Sequence, residues 1–208
     1  MAYIYVIDGD MGAGKTSSMS LYAAWLKHHF PNTTLWSNYG LKGSNHFGSY
    51  QNFLEMADEE YSLVLMDEAT YTLDSRNFNA KGQVYFTQLL TYLRKLRITT
   101  FFTAVRMQTL DSRIRDLIDI YVYVRKRGGY HYYQFYEFET MRLLKQSVIP
   151  VAKMKYLLGE LDLYKTWKIV RPTELPDKDL FHTFVEKLDL ANERYYAQDS
   201  IGGSLRGP

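Results

Sequence analysis

The chain has 208 residues, 46% of them hydrophobic and 23% charged, with a net charge of +2 and no cysteine. This describes one substantial folded core with an appendage and excludes a disordered chain. Disulfides, thiolate catalysis and cysteine-ligated metals are absent, no apolar run approaches the roughly 20 residues of a membrane helix, and no basic leader precedes the first apolar run. The expectation is a soluble, cytoplasmic protein (host cytoplasm if the source is viral).

Residues 2–8, AYIYVID, read as a short buried strand stopped by Gly9. Residues 15–30 carry Met19, Tyr22, Ala23 and Leu26 at helical spacing, and Pro31 ends that helix. A second strand is expected over 33–38, a loop over 39–49, and an almost fully apolar strand over 62–69 that runs into two acids. A helix over 82–97, a strand over 98–105, a short helix over 110–118 and a strand over 120–126 follow. Gly128-Gly129 then turns the chain into an antiparallel partner strand, 130–139. Strands alternating with helices imply a mainly parallel sheet covered on both faces. Past about residue 140 the alternation stops: 151–158 is mixed, 164–172 extended and 179–196 helical. The expected organisation is an α/β core over 1–140, a mixed and helical appendage over 141–198, and a disordered tail over 199–208.

The stretch GDMGAGKT (9–16) matches G-x-x-x-x-G-K-[ST] and lies between a predicted strand and a predicted helix. Glycines let backbone N–H groups close on phosphate oxygens, and a helix N-terminus adds its positive end. The nucleotide-binding residues are therefore Gly9, Asp10, Met11, Gly12, Ala13, Gly14, Lys15, Thr16 and Ser17. Lys15 reaches the outer phosphates, and Thr16 is placed to ligate Mg²⁺. The apolar strand ends in Asp67 and Glu68. Asp67 suits the metal, and Glu68, one residue further on, suits the polarisation of an attacking water. Asp8 and Asp10 put negative charge beside a phosphate site; at these positions their side chains can point away from it.

Charge is unevenly spread. Residues 94–127 hold nine basic and three acidic residues, a local +6 that leaves −4 for the remainder. Such a segment is either a set of solvated helix ends or a surface that meets polyanions. The five histidines, His28, His29, His46, His131 and His182, have no metal-ligand spacing and read as surface or boundary residues. The Tyr/Phe run 130–138 either stacks on the bases of a single strand or alternates between core and exposed edge, and the second reading is favoured. Trp167 reads as a packing anchor.

Together, GDMGAGKT, LVLMDEA, LRKLRITTFFTAVRMQTLD and IRDLIDIYVYVRK resemble the FtsK/HerA superfamily of hexameric DNA-translocating ATPases. Within it the likeness is to viral genome-packaging ATPases and Zot-like morphogenesis ATPases of filamentous phages. The resemblance covers about residues 2–127. It implies an additional-strand (RecA-like) P-loop NTPase fold with a C-terminal β-hairpin and helical appendage, ATP and Mg²⁺ as cofactors, and a homo-oligomer, expected as a hexameric ring. It also implies that Arg94, with Arg97 in reserve, acts as an arginine finger in a neighbouring subunit's site. A polar sensor is expected at the end of the following strand, where this chain has Val105; Thr103 or Gln108 are the candidates to replace it. The implied function is Mg-dependent ATP hydrolysis driving translocation of double-stranded DNA, foremost packaging into a capsid with a capsid or portal-type partner. The alternatives are a Zot-like ATPase of phage assembly and extrusion, or a nucleotide-gated binding module with weak hydrolysis.

Overall fold

The structure, a computed structural model, describes residues 2–73, 81–166 and 169–202. Trp167 lies outside the described residues.

Eight strands form one sheet: β1 (Ile4–Asp8), β2 (Thr33–Ser37), β3 (Asn45–His46), β4 (Tyr61–Met66), β5 (Ile98–Ala104), β6 (Ile120–Arg127), β7 (Tyr130–Glu137) and β8 (Arg142–Pro150). Their order across the sheet is β3-β2-β4-β5-β1-β6-β7-β8. Strands β3 through β6 run parallel, while β7 and β8 pair antiparallel at the edge. β5 lies between β1 and β4, the added strand that separates the phosphate loop's strand from the acid-bearing strand. β4 and β5 are buried along almost their whole length, as expected of parallel strands covered on both faces.

Two core layers cover the sheet. On one face α1 (Lys15–His29) contributes Met19 and Ala23, and α6 (Val151–Leu161) contributes Met154, against Ile7, Leu65, Val122 and Val124. On the other face α2 (Asn52–Ala57), α4 (Lys81–Tyr92), α5 (Ser112–Arg115) and α7 (Lys178–Gly202) pack Phe53, Phe86, Ile114, Phe181 and Phe184 over Val6, Val64 and Phe102. A single turn, α3 (Thr70–Leu73), follows the acid pair.

The expected alternation, parallel sheet and antiparallel edge are all present. Several elements differ from expectation. The helix expected over 82–97 ends at Tyr92, and turns carry the chain to Arg97, whose φ of 59° is left-handed. The 39–49 loop contains the short β3, and α2 fills the stretch before β4. Residues 142–150, given no structure from sequence, form β8; most of its side chains are exposed, so it lacks the alternation that marks a half-buried strand. The mixed segment 151–158 is helical, and α7 runs on to Gly202, into the expected tail. Residue 140 falls in the turn between β7 and β8.

Candidate active site

The phosphate loop leaves β1 at Gly9 and enters α1 at Lys15. Gly9 has φ 154°, and a Cβ there would meet the Val124 carbonyl oxygen at 2.2 Å, so the loop lies directly against β6. Gly14 caps the helix with a left-handed φ of 98°, and a Cβ on it would meet the His131 ring at 2.9 Å. The His131 Nδ1–H donates to the Ala13 carbonyl at 2.7 Å; a carbonyl only accepts, so the proton is on Nδ1. His131, expected as a surface or boundary residue, is buried. From β7 it supports the underside of the loop.

Lys15 folds over its own loop and donates to the carbonyls of Gly9 (2.7 Å) and Asp10 (3.1 Å). Partial burial pulls its ammonium below the ordinary lysine value, opposed by Asp67, Asp8, Asp10 and Glu68. The Thr16 hydroxyl donates to the Asp67 carboxylate at 2.9 Å. From the intervening strand, the Thr103 hydroxyl donates to Asp67 Oδ1 at 2.6 Å and accepts from the Glu68 N–H at 2.9 Å. The start of α1 and the ends of β4 and β5 thus meet through one hydroxyl–carboxylate–hydroxyl chain.

Sequence reading missed the fourth participant. Asn38, the residue after β2, donates through its side-chain amide to the Asp67 carbonyl (3.0 Å) and accepts from the Asp67 N–H (2.8 Å). This two-point clamp fixes the backbone of Asp67. The available signal was an asparagine directly after a strand, at the same end of the strands as the loop. Glu68 has a left-handed φ of 51°, a conformation uncommon for a residue with a side chain, and it lines the cleft.

The two acids beside the loop resolve differently. Asp8 is buried and turned away from the phosphate position: its Oδ2 accepts from the Met107 N–H and the Tyr121 hydroxyl, each at 3.1 Å. Asp10 is exposed. On the helix side, the Ser17 hydroxyl lies 3.0 Å from the Tyr164 hydroxyl, which belongs to the segment after α6. Burial raises the pKa of Tyr164 and, more strongly, that of Tyr39 beside it, so both rings stay neutral and wall this side.

The resulting cleft has a volume of about 610 Å³. A larger groove, about 790 Å³, lies between α2 and α7 and contains neither the loop nor the acid pair. Three exposed apolar side chains stand on the cleft's rim: Met11, Val105 and Ile169. Val105 occupies the position where a polar sensor was expected. Thr103 lines the cleft, whereas Gln108 is exposed in a 3-10 turn, Met107–Thr109, and does not.

The arginine candidates separate clearly. Arg94 is exposed and pairs with Asp119, whose other oxygen accepts from the Ile4 N–H. It therefore sits at the opposite end of β1 from the loop, roughly 16 Å away at about 3.3 Å per residue, out of reach of its own site. Arg97 does not fit the reserve role. Its guanidinium donates to the carbonyls of Ala57 (2.6 Å), Glu59 and Lys95 and to Asn192 Oδ1 (3.1 Å), and lies 3.5 Å over the Tyr195 ring. It is engaged within its own chain.

The donor set fits Mg²⁺. One carboxylate and one hydroxyl face each other at the helix start, leaving further positions to phosphate oxygens and water, the arrangement this hard ion accepts. Among the described residues no three His, Asp or Glu side chains cluster as a closed metal cage.

Strand order, loop and acid pair define the class: an additional-strand P-loop NTPase. The family model described as zonular occludens toxin (Zot) matches residues 43–168, which is 126 of the 208 residues, and the chain belongs to that family. The matched span holds Asp67, Glu68 and Thr103; the phosphate loop precedes it. The fold is similar to the N-terminal domain of zonular occludens toxin from Neisseria meningitidis: 21% identity, TM-score 0.59, covering 79% of this chain and 100% of that one. It is also similar to B204, the DNA-packaging ATPase from Sulfolobus turreted icosahedral virus (14% identity, TM-score 0.52, 69% and 96%). A third likeness is to the ATPase domain of G40P (7% identity, TM-score 0.53, 73% and 82%). At these identities the likeness is one of fold. No curated protein matches the sequence. No helix among the described residues is long and apolar enough to cross a membrane.

Proposed function

We propose that this chain hydrolyses ATP to drive phage assembly and extrusion, working as a homo-oligomeric ring. The observation that carries the catalytic part is the Thr16–Asp67–Thr103 chain, which joins the phosphate loop to the strand ending in Glu68. Phosphates entering the loop replace the carbonyls of Gly9 and Asp10 as partners of Lys15. Mg²⁺, when bound, neutralises phosphate charge, and Thr16 and Asp67 are the residues that hold it. Glu68, set beyond the strand end, takes the proton of the attacking water. The Thr103 hydroxyl separates the two acids in role, donating to the carboxylate of Asp67 and accepting from the backbone N–H of Glu68.

Two observations support the ring. The rim residues Met11, Val105 and Ile169 are apolar and exposed beside the catalytic cleft, a surface a neighbouring subunit can cover. Arg94 is remote from its own site and solvent-facing, so only a second subunit's site can use it as a finger.

Zot-family membership favours assembly and extrusion over packaging of double-stranded DNA against a capsid or portal-type partner. Steady-state hydrolysis tests the catalytic part: Glu68→Gln should lower kcat by at least about 100-fold while leaving ATP binding nearly unchanged. An unchanged rate would point instead to a nucleotide-gated binding module. Duplex-stimulated turnover in a sedimenting oligomer would select packaging.

A further inference from the structure

The extension beyond β1 has two unlike faces. Inward, Val122 and Val124 of β6 and Tyr133 and Phe135 of β7 join the core layer under α1 and α6, and His131 holds the phosphate loop. Outward, Arg125 stands opposite Tyr132, Arg127 opposite Tyr130, and Tyr121 opposite Tyr136. Tyr123 opposite Gln134 completes the row.

None of these five tyrosines belongs to either core layer, and none is fully buried. Arg125 and Arg127 are exposed, and neither forms an ion pair among the described residues. The four cross-strand pairs include no acidic residue. Tyrosine rings, four half-buried and one exposed, beside two exposed arginines are matched to a polyanion that carries flat apolar groups.

We infer that this face binds single-stranded nucleic acid, the tyrosine rings stacking on bases and Arg125 and Arg127 meeting phosphates. A duplex presents its phosphates but hides the flat faces of its bases within its own stack, so it could use the arginines and not the rings. A single strand can use both, and stacking tolerates any base because every base has a π-face. Nothing in this inference requires hydrolysis at the phosphate loop, so the two can fail separately. Position adds a connection to the loop. Gly9 abuts the Val124 carbonyl, and Arg125 is the next residue; Tyr121 shares Asp8 with the Met107 N–H. Polymer on the outer face therefore lies one strand away from the loop.

Fluorescence anisotropy on the full chain tests this, with a labelled oligothymidylate of about 16 nucleotides, an oligouridylate and a duplex of equal length. Oligothymidylate or oligouridylate should bind more tightly than duplex, and the tighter of the two identifies the polymer. Tyr123→Ala and Tyr132→Ala should each weaken binding about tenfold, and Tyr132→Phe, which keeps the ring and the fold, should not. The Arg125→Ala/Arg127→Ala double variant should reduce the slope of log K against log salt by about 1.4. Lys153→Ala/Lys155→Ala, removing the same charge from α6 on the other side of the sheet, should change neither. Glu68→Gln should still bind the oligonucleotide, whatever its hydrolysis rate. Tighter binding of duplex, equal losses in the α6 variant, or arginine variants that alter only the oligomeric state would each overturn the inference.

Discussion

His131 makes one hydrogen bond that matters, to the carbonyl of Ala13, and its ring fills the space that the missing side chain of Gly14 leaves. Loop shape is therefore set partly from β7, more than a hundred residues away in the chain. His131→Ala should raise KM for ATP about fivefold to tenfold, the worth of about one buried hydrogen bond, with a smaller change in kcat. His131→Asn, which can place an amide N–H near the same point, should recover much of the loss. A change confined to kcat, measured in the same steady-state assay, would contradict a positioning role. The residue was legible in sequence only as a histidine without metal spacing, because its partner is a backbone carbonyl and its burial depends on strand pairing. The phosphate loop, by contrast, is a local pattern whose chemistry is complete within eight residues. Asn38 fell between these cases: its clamp on Asp67 requires β2 and β4 to be neighbours, which spacing alone does not state.

At the scale of elements, the turn after α4 shows how a charged residue can serve the fold. Arg97 gathers the end of α2, the strand entry of β5 and the side of α7 around one planar guanidinium. Hydrogen bonds from a charged donor to partly buried carbonyls contribute about 2 kcal/mol in such a setting. Arg97→Ala should therefore lower Tm by about 6 °C in calorimetry. Arg97→Lys should regain little, since a point charge cannot replace the fork. From sequence, Arg94 was the expected finger and Arg97 its reserve; the positions of α2 and α7 are what give Arg97 its separate role. β8 and α6 were obscure for a related reason. β8 is almost wholly exposed, so its period is invisible, and α6 buries only Met154 fully, too little for a clear helical stripe.

On the scale of the whole molecule, the last helix belongs to the core. Phe181, Phe184, Leu188 and Ala191 are buried, and Phe184 packs against Tyr50 with ring centroids 4.8 Å apart. Burial of three large apolar side chains is worth roughly 5–8 kcal/mol, comparable to the entire stability of a typical domain. A variant ending before Lys178 should lose its cooperative thermal transition and aggregate, as followed by circular dichroism and light scattering. Cooperative unfolding of the shortened chain would show that the sheet and its remaining helices suffice. The alternation of strands and helices made the sheet legible in sequence. The contribution of α7 was not, because its amphipathic face gives no address for what it covers.

The contact between Gly9 and the Val124 carbonyl has a thermodynamic consequence. With no slack between loop and strand, any ligand on the outer face that shifts β6 must change the free energy of nucleotide binding. Linkage then requires the nucleotide to change that ligand's affinity by the same factor. A cycle of ATP capture and release would tighten and loosen the grip on the outer face in step, with β6 itself as the mechanical link.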